Sequence, residues 1–337
     1  MMAIVVTRYG PPEVLQLQEV PTPVPAEHEV LIQLYASSVN PLDSYVMRGP
    51  LFFLPALASL LKPKAKGIGA DIAGRVHSLG SGATHFQPGD EVFGGAFGGN
   101  GLGGCAEYVC VLEDRLAPKP ANLSFAAAAA VPVAAITALQ ALRDHGRIQP
   151  GQAVLIDGAS GGVGTFAIQI AKAFGAEVTA VCSPRSGPTA RSLGVDHVLD
   201  YTREDFTRRG QRYDLILGAN AHHSVFAYLR ALRPGGTFVM VGGSLPRVLQ
   251  AASLGPLLSR RGGKQIRFFI AKMNTNDLLS LKDLLEFGKI VPVLDRCYPL
   301  SETAEAIRYL EQHHARGKVV ITIDPSPDLR KQSSFLP

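Results

Sequence analysis

A chain of 337 residues with 46% apolar and 18% charged side chains has room for two globular domains and the composition of an ordinary core-forming protein. Its net charge of +5 is modest and scattered; only Lys62-Pro63-Lys64-Ala65-Lys66 forms a basic cluster, with no aromatic platform beside it, which argues against nucleic-acid binding. The same bias suits attraction of an anionic cofactor.

Met1-Met2-Ala3-Ile4-Val5-Val6 reads as a strand, since no basic n-region or cleavage site accompanies it. Short β-like runs follow at Glu29 to Tyr35, Ile72 to Leu79 and Glu107 to Val111, separated by Pro and Gly. Pro88-Gly89-Asp90 is a turn signal leading into the strand Glu91-Val92-Phe93. This grammar predicts an irregular, barrel-like β domain over residues 1–123. The apolar run Leu51 to Leu61 contains Pro55 and is too short to span a bilayer. It reads equally as a flap over an apolar substrate or as a core helix. The glycine-rich stretch Gly94 to Gly104 is expected at the mouth of a cleft.

From Ser124 the pattern changes. Ser124 can cap an Ala-rich helix, Pro132 breaks it, and a helix restarts over Val133 to Leu142. Strands are predicted at Ala153–Ile156, Glu177–Val181, His197–Asp200, Asp214–Leu217, Thr237–Val241 and Ile266–Ile270. Helical segments such as Thr165–Phe174 and Ser224–Leu232 separate most of them, which implies a parallel, doubly wound sheet over residues 124–275. A helix (Leu278 to Phe287), a strand (Val293 to Tyr298), a helix (Ser301 to His313) and a strand (Val319 to Ile323) then make residues 276–324 a return to the first domain. A cleft is expected between the two domains, and residues 325–337 read as a disordered tail.

The strongest local signal is Val154-Leu155-Ile156-Asp157-Gly158-Ala159-Ser160-Gly161-Gly162-Val163-Gly164-Thr165. An apolar strand runs into glycines and a helix starts at once. Gly161 lets the backbone approach a pyrophosphate, and Gly164 lets the helix pack closely on the strand. Ser160, Gly162 and Val163 are further expected cofactor contacts in this loop, and the N-terminus of the helix that follows supplies N–H donors and a positive dipole end. The usual first glycine is Ala159 here. Ser183 lies 19 residues after Gly164, at the end of the second strand, and no carboxylate is expected near it. A hydroxyl and the Arg185 guanidinium suit a 2′-phosphate, whereas an acid would repel it. The expected cofactor is NADP(H).

Five segments together resemble the medium-chain dehydrogenase/reductases, and among them the zinc-free quinone oxidoreductase branch: Val39-Asn40-Pro41-Leu42-Asp43, Gly69-Ala70-Asp71-Ile72-Ala73-Gly74, Gly89-Asp90-Glu91-Val92-Phe93-Gly94, the glycine loop, and His314-Ala315-Arg316-Gly317-Lys318-Val319-Val320. The resemblance runs from about residue 1 to 323. It implies an α/β protein with a GroES-like catalytic domain and a Rossmann domain, usually a homodimer. Zinc-dependent relatives carry Cys at the place of Asn40, a His-Glu pair at Ala70-Asp71 and a third ligand near Val131-Pro132. Those ligands are absent here, and Cys105 and Cys110 alone cannot replace a four-cysteine lobe. No metal is therefore expected.

Without a Lewis acid, the resemblance points to acceptors that take hydride readily, quinones or activated C=C bonds, as small apolar substrates. The residues matching Asn40, Asp43 and Tyr45 lie near the nicotinamide in the family. Asn40 is expected to hold the carboxamide or a substrate carbonyl, and Tyr45 to donate to the developing enolate. For Asp43 a local turn cap is the alternative, and for Tyr45 simple packing. Relatives tend to carry an Asp after the fourth strand, where this chain has Gly218-Ala219-Asn220; Asn220 is the substitute considered. Tyr201, Gly242, Phe269, Arg316 and Lys318 complete the expected dinucleotide contacts. His222-His223 and His313-His314 read as surface features. The four cysteines (105, 110, 182 and 297) form no disulfide framework, so a reducing, cytoplasmic location is expected, with no membrane span. A low-turnover NADPH-binding protein of structural or regulatory role is the second reading, and a zinc alcohol dehydrogenase the third.

Overall fold

The computed structural model describes residues 1–49, 63, 67–96, 103–261, 263–312 and 315–324. The expectations for Leu51 to Leu61, for most of the glycine-rich stretch after Ala96, for His313-His314 and for the tail after Asp324 lie outside the described residues. In chain order the strands and helices are β1 (Met2–Val6), β2 (Leu15–Glu19), β3 (Glu29–Val39), α1 (Pro41–Arg48), β4 (Asp71–Leu79), β5 (Glu91–Gly95), β6 (Tyr108–Leu112), β7 (Leu116–Pro118), α2 (Phe125–Ala129) and α3 (Pro132–Gln140). They continue with β8 (Ala153–Asp157), α4 (Gly162–Ala173), β9 (Glu177–Cys182), α5 (Gly187–Ser192), β10 (His197–Asp200), β11 (Tyr213–Gly218), α6 (Val225–Ala231), β12 (Leu232–Met240), α7 (Leu245–Arg261) and β13 (Gln265–Phe268). The last are α8 (Thr275–Glu286), β14 (Leu294–Pro299), α9 (Thr303–Glu311) and β15 (Lys318–Thr322).

The chain divides into two compact units. The first comprises Met1–Val133, Met273–Asp283 and the chain from Leu294 onward; the second comprises Ala134–Lys272 and Leu284–Val293. The junctions differ from those read in the sequence. Ser124 does cap α2, its side chain accepting from the Ala127 N–H, but the helix stays with the first unit. Its alanines are small enough to lie flat on β3, β4 and β5, and Phe125 stacks on Tyr35 at 4.4 Å. Residues 284–293 stay with the second unit because Gln169 of α4 grips Val291, donating to its carbonyl at 2.9 Å and accepting from its N–H at 2.8 Å.

In the first unit the seven-stranded sheet has the order β14-β15-β3-β4-β5-β7, with β6 also pairing β3. Only β14 and β15 run parallel. This is the GroES-like β domain. Its core is Ile32, Leu34, Ile72, Val92, Leu116, Val319 and Ile321, all essentially inaccessible.

In the second unit the six strands are all parallel in the order β10-β9-β8-β11-β12-β13. That is the doubly wound dinucleotide-binding order, and β8 and β11 flank the point where the winding reverses. Ligands of such sheets bind beyond the carboxyl ends of the strands at that point, where the glycine loop leaves β8. Strand β13 is shorter than expected and ends at Phe268; Ile270 beyond it is 80% exposed.

Candidate functional site

In the first unit β3 ends in a buried polar run, Ser37, Ser38 and Asn40, and α1 begins at once. Pro41 is pre-shaped for the first helical position. Asp43 caps the turn: its carboxylate accepts from the Asn40 N–H at 2.7 Å and the Gly69 N–H at 2.8 Å. Burial pushes the Asp43 carboxyl up to about 6, against the two N–H donors that favour its ionised form. The turn-capping role left open in the sequence is therefore the one its oxygens perform.

Asp71, at the start of β4, is wholly buried and is the centre of the site. Its Oδ2 accepts from Ser38 Oγ (2.6 Å), Asn40 Nδ2 (2.9 Å) and Lys318 Nζ (2.9 Å), and its Oδ1 from the Val133 N–H (2.6 Å). Lys318 Nζ also donates to Asn40 Oδ1 at 2.6 Å. A buried ion pair holds only when its remaining hydrogen-bonding capacity is filled, and here it is. Lys318, expected at the dinucleotide, is 3% exposed and turned inward onto these partners. Arg316 is exposed, and its backbone N–H donates to Asp295 Oδ2. Tyr45 lies on α1 with its ring 52% exposed, while Asp43 and Met47 of the same helix are buried.

The sequence segments that carry zinc ligands in zinc-dependent relatives thus converge, as Asn40, Ala70-Asp71 and the Val131-Pro132-Val133 corner. Among the described residues no three His, Cys, Asp or Glu side chains group so as to hold a metal ion.

In the second unit β8 ends at Asp157 and the loop turns at Gly158, whose φ of +84° favours glycine. A methyl group there would meet Asn220 Cβ and N at 2.8 Å, so the structure packs Asn220 against the loop. At Gly164 a methyl group would lie 2.3 Å from the Gly158 carbonyl oxygen, so glycine there is dictated by helix–loop packing. Gly161 differs. It is the N-cap of α4, and an added methyl would meet only Gly158 O, at 3.8 Å. Packing among the described residues does not require glycine there, although an N-cap favours it over alanine, and a close-approaching ligand would require it. Gly162, Val163 and Gly164 follow as the first helical residues, with N–H groups that have no intrahelical carbonyl to bond. Ser160 beside them is half-buried. These residues fit a pyrophosphate.

Gly218, where relatives tend to have Asp, has Phe238 Cε2 at 2.9 Å and Ala221 Cβ at 3.1 Å from any added methyl. A side chain is excluded by Phe238. Gly242 donates to Gly218 O, and a methyl on it would lie 2.4 Å from Ala219 O. Phe269 stacks on His145 at 4.0 Å.

At the end of β9, Ser183 Oγ sits 3.4 Å from Ser186 Oγ, and Arg185 is exposed. Tyr201, 61% exposed, follows β10, its N–H reaching Cys182 O. Sequence distance concealed one carboxylate. Asp200 pairs in register with Cys182 across the β9–β10 ladder. Its Oδ1 accepts from the Thr202 N–H and hydroxyl, and its Oδ2 lies 3.6 Å from Arg203 Nε. Those hydroxyl and N–H donors hold its carboxyl below the usual range. Arg203, side chain 83% exposed, is a second guanidinium at this corner that the sequence reading missed.

Residues 26–121 match the alcohol dehydrogenase GroES-like domain family, and residues 193–321 the zinc-binding dehydrogenase family. The mouse mitochondrial NAD(P)H oxidoreductase RTN4IP1 is 34% identical, over 96% of this chain and 89% of its own. The Arabidopsis chloroplastic NADPH-dependent alkenal/one oxidoreductase is 32% identical, over 95% and 79%. The solved quinone oxidoreductase of Coxiella burnetii superposes with a TM-score of 0.84 at 31% identity, covering 96% of this chain and 99% of that one. A GroES-like domain joined to a dinucleotide-binding sheet defines an oxidoreductase that works with a nicotinamide cofactor. The chain belongs to the medium-chain dehydrogenase/reductase superfamily, among its quinone oxidoreductase-like members. Among the described residues no helix is long and apolar enough to cross a membrane.

Proposed function

We propose that this protein is an NADPH-dependent reductase of quinones or α,β-unsaturated carbonyls that works without zinc. The observation that carries the reading is Gly161: a backbone open to a ligand, at the start of α4 and beyond the end of β8, with no packing reason to be glycine. NADPH, when bound, supplies the hydride. Ser160 and the N–H groups of Gly162, Val163 and Gly164 hold its pyrophosphate, with Asn220 and Gly242 shaping the neighbouring turn. Ser183, Arg185 and Tyr201 take the 2′-phosphate; Asp200 at the same corner keeps its negative charge, with Thr202 donating to Oδ1 and Arg203 3.6 Å from Oδ2 as a second cation beside it. Asn40 and Tyr45 donate hydrogen bonds to the acceptor oxygen as negative charge builds on it.

Support for the acceptor class comes from relatives named as reductases of alkenals and enones, of quinones and of 2-methylene-furan-3-one. Support for zinc independence comes from Asp71, whose oxygens are taken by Lys318, Asn40, Ser38 and Val133. A homodimer joined through β13 fits the open edge of the second sheet, where Ile270 is exposed; light scattering that gives a monomer mass at micromolar protein contradicts it. Buried, unpaired cysteines at 105, 110 and 182 fit a reducing compartment such as the cytoplasm, which cell fractionation tests.

The function is tested by following NADPH oxidation against a panel of quinones and enones, before and after prolonged chelation. Turnover that survives chelation is expected. Stoichiometric zinc that tracks activity, or no turnover with any acceptor, overturns the reading.

A further inference from the structure

Asn40 is gripped by opposite charges on the two ends of its amide. Lys318 Nζ lies 2.6 Å from Oδ1, and Asp71 Oδ2 lies 2.9 Å from Nδ2. An ammonium only donates and an ionised carboxylate only accepts. The flipped amide would set its NH2 group against the ammonium and its oxygen against the carboxylate, so charge fixes the orientation. The clamp cannot turn either. Lys318 and Asp71 are themselves 2.9 Å apart, Ser38 Oγ fills a further site on Oδ2, and the Val133 N–H occupies Oδ1. Asp71 and Ser38 are inaccessible and Lys318 and Asn40 nearly so, surroundings in which an electrostatic preference is strong. The oxygen of Asn40 is committed to the buried ammonium, and its second Nδ2–H, which has no partner among the described residues, is the donor it can offer.

We propose that Lys318 is a positioning residue: together with Asp71 it fixes Asn40 as a hydrogen-bond donor, so that the group Asn40 engages is an acceptor such as a carbonyl oxygen of a quinone or enone. This rests on the function proposed above. It gives Lys318 a role through Asn40 in place of the direct dinucleotide contact expected from the sequence, since both of its hydrogen-bonded partners are buried side chains of its own unit.

The test uses the full chain with Lys318→Met, Lys318→Arg and Lys318→Gln, each first shown to be folded by its melting curve. With an enone, Lys318→Met should lower kcat about 10- to 100-fold, the usual scale for a misaligned group, while the Kd for NADPH by calorimetry stays within about twofold. Lys318→Arg restores a charged donor and should recover part of the loss. If Lys318→Met does not fold, Lys318→Gln, which keeps a donor to Oδ1 without the charge, is held to the same result at smaller amplitude. A second readout needs no turnover. In 15N-labelled protein the Asn40 side-chain NH2 pair, identified by its loss in Asn40→Asp, should shift when Lys318 is replaced and return toward its place with Arg. NADPH affinity lost with kcat intact at saturating cofactor overturns the proposal. So does Arg no better than Met, or an unmoved NH2 pair with unchanged kcat. If the unmodified protein reduces no quinone or enone, the proposed function fails, and the NH2 pair alone still decides the clamp.

Discussion

Asp157 accepts a hydrogen bond at 2.5 Å from the hydroxyl of Tyr228, with both residues buried where β8 gives way to the glycine loop. Asp157 stands opposite Gly218 on the β8–β11 ladder. Its backbone oxygen also takes the N–H groups of Ala219 and Asn220. The pair ties the loop, the 219–220 turn and α6 together.

Burial pushes the Asp157 carboxyl up to about 6, against the Tyr228 hydrogen bond that favours its ionised form. An acid raised on folding keeps its proton in the folded state after the unfolded chain has lost it. Its contribution to stability is therefore full below about pH 4 and is lost as pH rises to about 6, amounting to roughly 3 kcal/mol at most. Asp157→Asn keeps an acceptor for Tyr228 and does not titrate. Relative to the unmodified protein it should gain stability between pH 4 and 6 and hold that gain above. Asp43 moves in the same direction but is common to both proteins and cancels. Denaturant curves at several pH values check this; a difference constant with pH shows an ordinary carboxyl.

Gly161 and Gly164 should separate binding from folding. Gly164→Ala drives a methyl to 2.3 Å from Gly158 O and is expected to cost about 1–3 kcal/mol, visible as a lowered melting temperature. Gly161→Ala has room at an ordinary φ of −77°, so the melting temperature should move little. NADPH affinity should fall at least about tenfold, because the methyl stands where the pyrophosphate approaches. Normal affinity in a folded Gly161→Ala protein removes this loop from the cofactor site.

Arg185→Ala should weaken NADPH by about ten- to a hundredfold, the scale of one charged hydrogen bond, and leave NADH nearly unchanged. Asp200 sharpens the comparison, since its carboxylate stands in register with Cys182 at the end of β9. An equal loss for both cofactors shows that Arg185 does not meet the 2′-phosphate.

The second unit was largely legible because each strand is an apolar run separated from the next by helical or turn residues. Strand β12 begins earlier than expected, at Leu232: Leu232 pairs Tyr213, the register then shifts across Pro234-Gly235-Gly236, which read as a turn in the sequence, and pairing resumes at Thr237. Helix α7 was not foreseen: Gly255 and Pro256 interrupt its helical pattern. The first unit's site was legible as residue types but not as contacts. Lys318 and Asp71 are 247 positions apart, Tyr228 and Asp157 are 71 apart, and only the sheets bring them together. Motif reading placed Lys318 at the cofactor because it could not show that a buried carboxylate already held it.

Tyr45 provides the test of the chemistry. Hydride addition builds negative charge on the acceptor oxygen, and each well-placed donor in a site shielded from water is worth about 2–4 kcal/mol there. Asn40, held by Lys318 and Asp71, is proposed as one such donor, and the Tyr45 hydroxyl as the other. An enone needs its enolate stabilised and then needs a proton, whereas a quinone is already a strong electron acceptor. Tyr45→Phe should therefore slow enone reduction about 10- to 100-fold and quinone reduction much less. A melting curve of Tyr45→Phe separates a loss of chemistry from a loss of stability. NADPH affinity should also hold, because the residues proposed to grip the dinucleotide are in the other unit. Turnover unchanged with both acceptors assigns Tyr45 to packing and moves the proton donor to water or to the cofactor ribose.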